Sequence, residues 1–137
     1  KNSIPTIIRS FKATVTKQIH EKGYLLEHKP PFLALYTNLM TKINVIKIME
    51  FVNGNHQLVN TTIIIGGPDV TYNIDNYLNA GAHYTIIGEG EETIFELVQA
   101  VKTKAAVTEV KGIAYLSSDY EVLKTPPRIK IKPIIFW

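Results

Sequence analysis

Two glycine-rich turns hold the residues of this sequence whose types and spacing could do chemistry. The sequence GGPD at 66–69 directly follows the β-branched run 61–65, and GEGEET at 88–93 follows the apolar run 84–87. Because glycine has no Cβ, it lets the backbone turn sharply at a strand end and lets a ligand approach the main chain. The chemistry that this pattern predicts is ligand binding through backbone amides.

Both turns also have an explanation that involves no ligand. The turn at 66–69 could simply connect a strand to a helix, and the acids of 88–93 could simply cap the helix that follows. Amides at a helix N-terminus ordinarily attract an anion, but three carboxylates would repel a phosphate. The second turn lacks the Gly-Lys-Ser/Thr ending of a phosphate loop and the third glycine of a dinucleotide fingerprint. It better suits hydrogen bonding to amides, hydroxyls or a basic residue.

Other residue types in the sequence predict little further chemistry. The loop TNLMT at 37–41 places small polar side chains at the same predicted edge, although Thr41 could simply cap a helix. The histidines at 20, 28, 56 and 83 share no ligand spacing. The absence of cysteine excludes a disulfide, a thiolate zinc site, a cysteine nucleophile and an iron–sulfur cluster held by this chain. We therefore predict no catalytic residue and no metal ligand.

Alternating strands and helices must position these turns. Continuous apolar runs indicate strands that are covered on both faces, as in a parallel α/β sheet. The predicted strands are 32–37, 61–65, 84–87 and 112–116, and the predicted helices are 42–53, 73–79 and 91–102. In the helix at 42–53, Ile43, Ile46, Met49 and Val52 recur every three residues and predict its apolar face. A hairpin over 113–123 and an extended tail after Pro126-Pro127 end the chain.

The first thirty residues fit two patterns. Apolar residues between 4 and 19 fit one long helical stripe, but 11–16 also alternates as a strand would. We favour a helix at 3–10, a strand at 11–16 and a helix at 17–28.

Composition and charge exclude several classes of protein. The 137 residues are 45% hydrophobic and 20% charged, which is typical of one globular domain and excludes a disordered tail and a membrane span. Residues 48–101 contain seven acids and no lysine or arginine. This acidic segment argues against the continuous basic face of a nucleic-acid-binding protein. The lack of cysteine fits a reducing compartment, and we expect a cytoplasmic protein.

Three stretches of sequence resemble a known family. Residues 63–68 (IIIGGP), 80–93 (AGAHYTIIGEGEET) and 110–115 (VKGIAY), followed by Pro126-Pro127-Arg128, are similar to the cobalamin-binding-type N-terminal domain of radical-SAM enzymes. The resemblance implies an α/β, Rossmann-like (flavodoxin-type), mostly parallel sheet flanked by helices, whose carboxyl edge faces cobalamin. The sequence departs from the family in three respects. It lacks the DxHxxG motif, and it carries Asp69 where a histidine often follows GGP. It also leaves little room for a leading strand before the first helix.

The resemblance also implies a division of labour. Residues 1–110 would be the cobalamin-binding-like domain, and residues 111–137 a hairpin and linker towards a radical-SAM barrel. That downstream barrel would hold the [4Fe–4S] cluster and S-adenosylmethionine, since this chain has no cysteine. The chain itself would be a non-catalytic accessory domain that positions a corrinoid or a substrate. The alternative is a cofactor-free α/β interaction module that docks its own barrel or another protein.

Under this hypothesis, residues at the predicted carboxyl edge of the sheet line the cofactor site. The expected lining residues are Thr37, Asn38, Gly66, Gly67, Asp69, Gly88, Glu89, Gly90 and Thr93. The expected partners are a corrinoid and the downstream domain, with neither a nucleic acid nor a membrane. An exposed sheet edge, if the leading strand is missing, could also pair two copies of the chain.

Overall fold

The computed structural model describes residues 18–88 and 90–128. The helices are α1 (Gln18–His28), α2 (Lys42–Asn53), α3 (Ile74–Asn79) and α4 (Glu91–Thr103). The strands are β1 (Phe32–Tyr36), β2 (Thr62–Gly66), β3 (Tyr84–Ile86), β4 (Ile113–Leu116) and β5 (Val122–Lys124). Short 3₁₀ turns lie at His56–Leu58, Val70–Tyr72 and Val107–Glu109.

The five strands form one mixed sheet in the sequential order β1-β2-β3-β4-β5. The pairs β1–β2 and β2–β3 are parallel, whereas β3–β4 and β4–β5 are antiparallel. The parallel first half and the flanking helices confirm the predicted Rossmann-like α/β fold. The predicted hairpin is also present as β4 and β5, and through β4 it belongs to the same sheet as the other strands.

Most of the predicted elements lie within a residue or two of their expected bounds. The predicted helix at 42–53 coincides with α2, and the predicted helix at 17–28 is found as α1. The predicted helix at 3–10, the strand at 11–16 and the tail beyond 128 lie outside the described residues. Within the part of the chain that the structure describes, no helix is long and apolar enough to span a membrane.

The apolar face of α2 agrees with the predicted one in part. Met49 and Val52 are buried, as predicted, and Ile46 is half-buried against the core. Ile43 is instead 69% exposed, and Val45 and Ile48 complete the buried face. A step of three residues falls short of the 3.6-residue turn, so a run of such steps spirals around the helix and cannot stay on one face. Spacings that mix steps of three and four residues keep the stripe facing the core.

The two faces of the sheet are unequally covered. On one face, the side chains of β1 and β2 are at most 5% exposed, as seen for Leu33, Leu35, Ile63 and Ile65. On the other face Ile64 is buried, but Ala34 is half-buried and Tyr36 at the end of β1 is 49% exposed. The crossovers through α2 and α3 both join parallel neighbours in the same direction, and right-handed crossovers of this kind place both helices on one face. The partly covered face is therefore the one that is available to a ligand.

A close backbone approach fixes the ends of β1 and β2. The N–H of Thr37 donates a hydrogen bond of 2.8 Å to the carbonyl of Gly66, which continues the parallel ladder into the loops. Gly67 has φ +127°, and a Cβ at this position would collide with the backbone of Thr37. Only glycine satisfies both the dihedral angle and the space at this turn.

We expect Gly67→Ala to destabilise the protein by about 2–4 kcal/mol, because it combines an unfavourable φ with a backbone collision. Gly66→Ala is the matched control. Its Cβ would lie 3.8 Å from the Cβ of Ile86, an ordinary contact, so its stability should change by less than about 1 kcal/mol. Urea denaturation followed by circular dichroism measures both. Equal stabilities would contradict this account of the turn.

Candidate functional site

A cavity of about 470 Å³ opens on the partly covered face, at the carboxyl ends of β1, β2 and β3. This edge of an open α/β sheet is where ligands generally bind. Three strands, both glycine turns and the start of α4 contribute to the wall. The lining residues are Ala34, Leu35, Tyr36, Ile64, Gly66, Gly67, Pro68, Thr71, Ile86, Gly88, Gly90, Glu91 and Ile94.

The cavity combines an apolar floor with a rim of glycines. Ala34, Ile64 and Ile86 come from three adjacent strands and face the same side of the sheet. Gly66 and Gly67 form one part of the rim, and Gly88 and Gly90 form another, although the two turns are more than twenty residues apart in sequence. The structure brings the two turns together, as expected from the sequence. Such a surface can accept a flat apolar group while main-chain amides approach its polar edge.

A buried polar cluster lies next to this cavity, beneath the turn at 66–69. We call it the Asp69 cluster; its members are Thr37, Lys42, Asp69, Asn73 and Tyr77. The hydroxyl of Tyr77 donates to Oδ2 of Asp69 at 2.7 Å and lies 3.0 Å from Oγ1 of Thr37. Nδ2 of Asn73 donates to Oδ1 of Asp69 at 3.0 Å, and Nζ of Lys42 lies 3.5 Å from Oδ2. The cluster thus joins the loop after β1 and helices α2 and α3 to the glycine turn.

The electrostatics of the cluster fix its protonation states at neutral pH. The hydrogen bond from Tyr77, followed by the charge of Lys42, holds the pKa of Asp69 below its ordinary value, so the carboxylate is ionised. Burial raises the pKa of Tyr77 to about 12, so the phenol keeps its proton and remains a donor. A buried carboxylate is tolerated here because it has three partners.

Four of the five polar side chains predicted to line the cofactor site make hydrogen bonds within the protein. Thr37 and Asp69 bond within the Asp69 cluster, and Oδ1 of Asn38 accepts from the N–H groups of Met40 and Thr41. Oγ1 of Thr93, which is fully buried, accepts from Nε of Arg128 at 2.9 Å.

Of the nine predicted lining residues, the four glycines border the cavity. Thr37, Asn38, Asp69 and Thr93 are not among the residues that line it, and Glu89 lies outside the described residues. Their contact with a cofactor stays a prediction.

Sequence reasoning missed the floor of the cavity and the partners of Asp69. Side chains alternate along a strand, so the sequence alone could have placed Ile64 on the same face as Gly66. The parallel register then places Ala34 beside Ile64. The pairing of Lys42 and Tyr77 with Asp69 could not be predicted from the sequence, because it depends on how two helices approach one turn.

One of the four histidines, His83, is hydrogen-bonded to the main chain. His83 precedes β3, at the edge opposite the glycine turns, and its Nδ1 accepts a 2.9 Å hydrogen bond from the N–H of Ile63. Desolvation lowers the pKa of this imidazole, and the bond requires an unprotonated Nδ1. Nε2 then carries the proton of the neutral ring and has no lone pair to offer a metal ion. Across residues 18–88 and 90–128, no three histidine or acidic side chains cluster as metal ligands would.

Comparison with known proteins identifies the fold. No family model and no curated protein matches the chain. A structure of the cobalamin-dependent S-adenosylmethionine radical enzyme OxsB with aqua-cobalamin bound matches 85% of it with a TM-score of 0.67 and 20% identity. A structure of the radical S-adenosylmethionine methyltransferase TsrM from Kitasatospora setae, with cobalamin and a [4Fe-4S] cluster bound, matches 82% with a TM-score of 0.59 and 14% identity.

The chain has a fold that recurs within cobalamin-dependent radical-SAM enzymes. The resemblance inferred from the sequence is therefore confirmed at the level of the fold. The chain spans 16% of the length of OxsB and 22% of that of TsrM, so most of each enzyme has no counterpart here.

We expect Tyr77→Phe to destabilise the protein by about 1–3 kcal/mol, because it leaves buried Asp69 and Thr37 without their shared hydroxyl. The shape of the core is preserved, so cavity formation does not contribute. Tyr72→Phe is the matched control, since Tyr72 is 85% exposed. Chemical denaturation of both variants measures the difference, and equal effects would show that the hydroxyl of Tyr77 is not needed.

The lowered pKa of Asp69 predicts how the stability of the protein changes with pH. Because its folded pKa lies below the ordinary value of 3.8, its contribution to stability is present above pH 3.8 and is lost as the pH falls through the folded pKa. Asp69→Asn should therefore be less stable than the wild type at pH 7, with the difference shrinking below pH 3.8. Thermal melts across this range test it, with exposed Asp119→Asn as the control. A difference independent of pH would contradict the assignment.

Proposed function

We propose that this chain is an accessory, cobalamin-binding-like domain of a radical-SAM enzyme, and that it positions a corrinoid or a substrate. The observation that carries the proposal is the single cavity that the two glycine turns and the apolar floor form at the carboxyl edge. The shared fold with cobalamin-dependent enzymes supports the same assignment. Ligand binding at this edge is the general behaviour of open α/β sheets.

The residues present fit part of a corrinoid. The cavity lies within the range of about 300–1,000 Å³ that is typical of small-molecule sites. A whole corrinoid is larger, so the cavity would take one apolar portion of it. Ala34, Ile64 and Ile86 would contact that portion, and the backbones of Gly66 and Gly88 would approach its polar edge. When bound, the corrinoid would supply the organometallic chemistry, while the protein would bind and orient it.

The donor set argues against a cobalt ligand from this chain. Among the described residues that line the cavity, none is a histidine. This agrees with the absence of the DxHxxG motif from the sequence. We propose that any cobalamin is held by shape and by main-chain hydrogen bonds.

The remaining chemistry belongs to the rest of the parent protein under this proposal. A downstream radical-SAM domain of the same polypeptide would hold the [4Fe–4S] cluster and S-adenosylmethionine. Residues 1–110 would form the binding domain and residues 111–137 the hairpin and linker. The absence of cysteine supports a non-catalytic role for this chain and a cytoplasmic protein.

A second candidate is a cofactor-free interaction module. Apolar side chains gather near the same edge, where Leu39 is 80% exposed, Met40 90% and Ile43 69%. These residues belong to the loop after β1 and the first turn of α2. Exposed apolar groups in one patch favour contact with another protein surface. The partner could be the barrel of the same polypeptide or another protein.

Titration with hydroxocobalamin tests the first proposal. We expect a change in the cobalamin absorption spectrum and a measurable heat with the wild-type chain. Ala34→Leu fills the floor of the cavity and should weaken binding at least about tenfold, which corresponds to ~1.4 kcal/mol. Ala105→Leu makes the same chemical change at an exposed position away from the cavity and should bind as the wild type does.

Two outcomes would overturn the cofactor proposal. One is the absence of any spectral change or heat at high micromolar cobalamin with a folded wild-type chain. The other is equal affinity of Ala34→Leu and Ala105→Leu, which would place binding outside the cavity. Binding of the separate radical-SAM domain without any corrinoid would instead support the interaction module.

A further inference from the structure

The chain does not leave the sheet freely after β5. The N–H of Gly112 donates to the carbonyl of Pro126 at 2.9 Å, and the N–H of Thr125 donates to the carbonyl of Ile113 at 3.0 Å. The N–H of Ile113 donates in turn to Oγ1 of Thr125 at 3.0 Å. Residues 125–126 are thus bonded to the start of β4, next to the carboxyl end of β3. We call residues 125–128 the exit segment.

Arg128 then ties the exit segment to α4. Its Nε donates to Oγ1 of Thr93 at 2.9 Å, and its Nη2 donates to Oε1 of Glu96 at 2.7 Å. Its Nη1 lies 3.4 Å from Oε2 of Glu96 and 3.5 Å from Oε1 of Glu92. The Arg128 side chain is 21% exposed, so these contacts are partly withdrawn from water.

The geometry of these contacts is specific to arginine. The two terminal nitrogens face the two oxygens of Glu96, while Nε points to Thr93 from the same planar group. The hydrogen bonds to Glu96, followed by the charges of Glu96 and Glu92, raise the pKa of Arg128 above an already high value, so the group stays charged. A lysine ammonium could meet Glu96 but could not reach Thr93 from the same plane.

The helix that Arg128 grips is also a wall of the cavity. Glu91 and Ile94 line the cavity from the first turn of α4, and Thr93 lies between them in sequence. The N–H of Ile94 donates to the carbonyl of Gly90, another lining residue, at 2.7 Å. The same helical turn therefore contacts the cavity on one side and Arg128 on the other.

We propose that Arg128 is a positioning residue that cross-links the exit segment to the cavity wall, so that each stabilises the other. The cross-link fixes the path of the chain beside the cavity and holds the first turn of α4 in place. It requires no ligand and so stands apart from the proposed function. If that function holds, a ligand against α4 would be coupled to the exit segment through Arg128.

Hydrogen exchange on the ligand-free chain tests the cross-link. Arg128→Gln should speed exchange roughly tenfold or more at two groups of amides, because it removes charge-assisted hydrogen bonds. One group reports the exit segment, at Gly112 and Thr125. The other reports the cavity wall, at Ile94. Amides of β1 and β2 should exchange as in the wild type, which separates local release from global destabilisation.

Three further variants sharpen the test. Lys124→Gln also removes one positive charge, from an exposed side chain directly before the exit segment, and should leave exchange at all these amides unchanged. Arg128→Lys should restore only part of the protection. Combining Arg128→Gln with Glu96→Gln should add little to Arg128→Gln alone, because both remove the same contact.

Unchanged exchange at Gly112 and Thr125 in Arg128→Gln would overturn the proposal. So would faster exchange there with no change at Ile94, since the exit segment would then be tied down independently of the cavity wall. Equal acceleration across β1 and β2 would also overturn it, because Arg128 would then stabilise the whole fold. A failed cobalamin titration would bear only on the proposed function.

Discussion

The arrangement of this domain depends on one constraint: the acidic residues of segment 48–101 must find their basic partners elsewhere in the chain. Residues 48–101 include β2, β3, α3 and most of α4, yet they contain no lysine or arginine. A buried carboxylate is costly unless it is partnered. Lys42 reaches the buried Asp69 from the preceding part of the chain, and Arg128 reaches the partly exposed Glu96 from the following part. Asp69 follows the first glycine turn and Glu96 lies in the helix after the second, so both basic residues support the elements around the cavity.

Patterns along the chain predicted the elements well, because these are set by local sequence. The strand at 61–65 before GGP, the helix at 42–53 and the hairpin over 113–123 were all found near their expected bounds. The meeting of the two glycine turns was also predictable, since the carboxyl ends of parallel neighbouring strands share an edge. This rule predicts that turns separated in sequence lie close together in the folded protein.

The side-chain partners could not be predicted in the same way. The carboxylate of Asp69 bonds to Tyr77 and Asn73 and lies near Lys42, and Thr93 accepts from a residue far along the chain. No pattern in the sequence indicated these partners. Ile43 was wrongly assigned to the apolar face of α2, because a three-residue repeat resembles a helical stripe over a short span. All of these features depend on tertiary packing, which the periodicity of one segment does not encode.

The hairpin of β4 and β5 has a topological consequence. The parallel strands β1 to β3 all end at the cavity, and β4, being antiparallel, runs away from it. The second reversal of direction, into β5, brings the chain back to the edge of the sheet at which β4 started. With only one reversal of direction, the chain would have left the sheet at the opposite edge, a full strand length from the cavity. Because there are two reversals, the chain at residue 128 lies on the same edge of the sheet as the cavity.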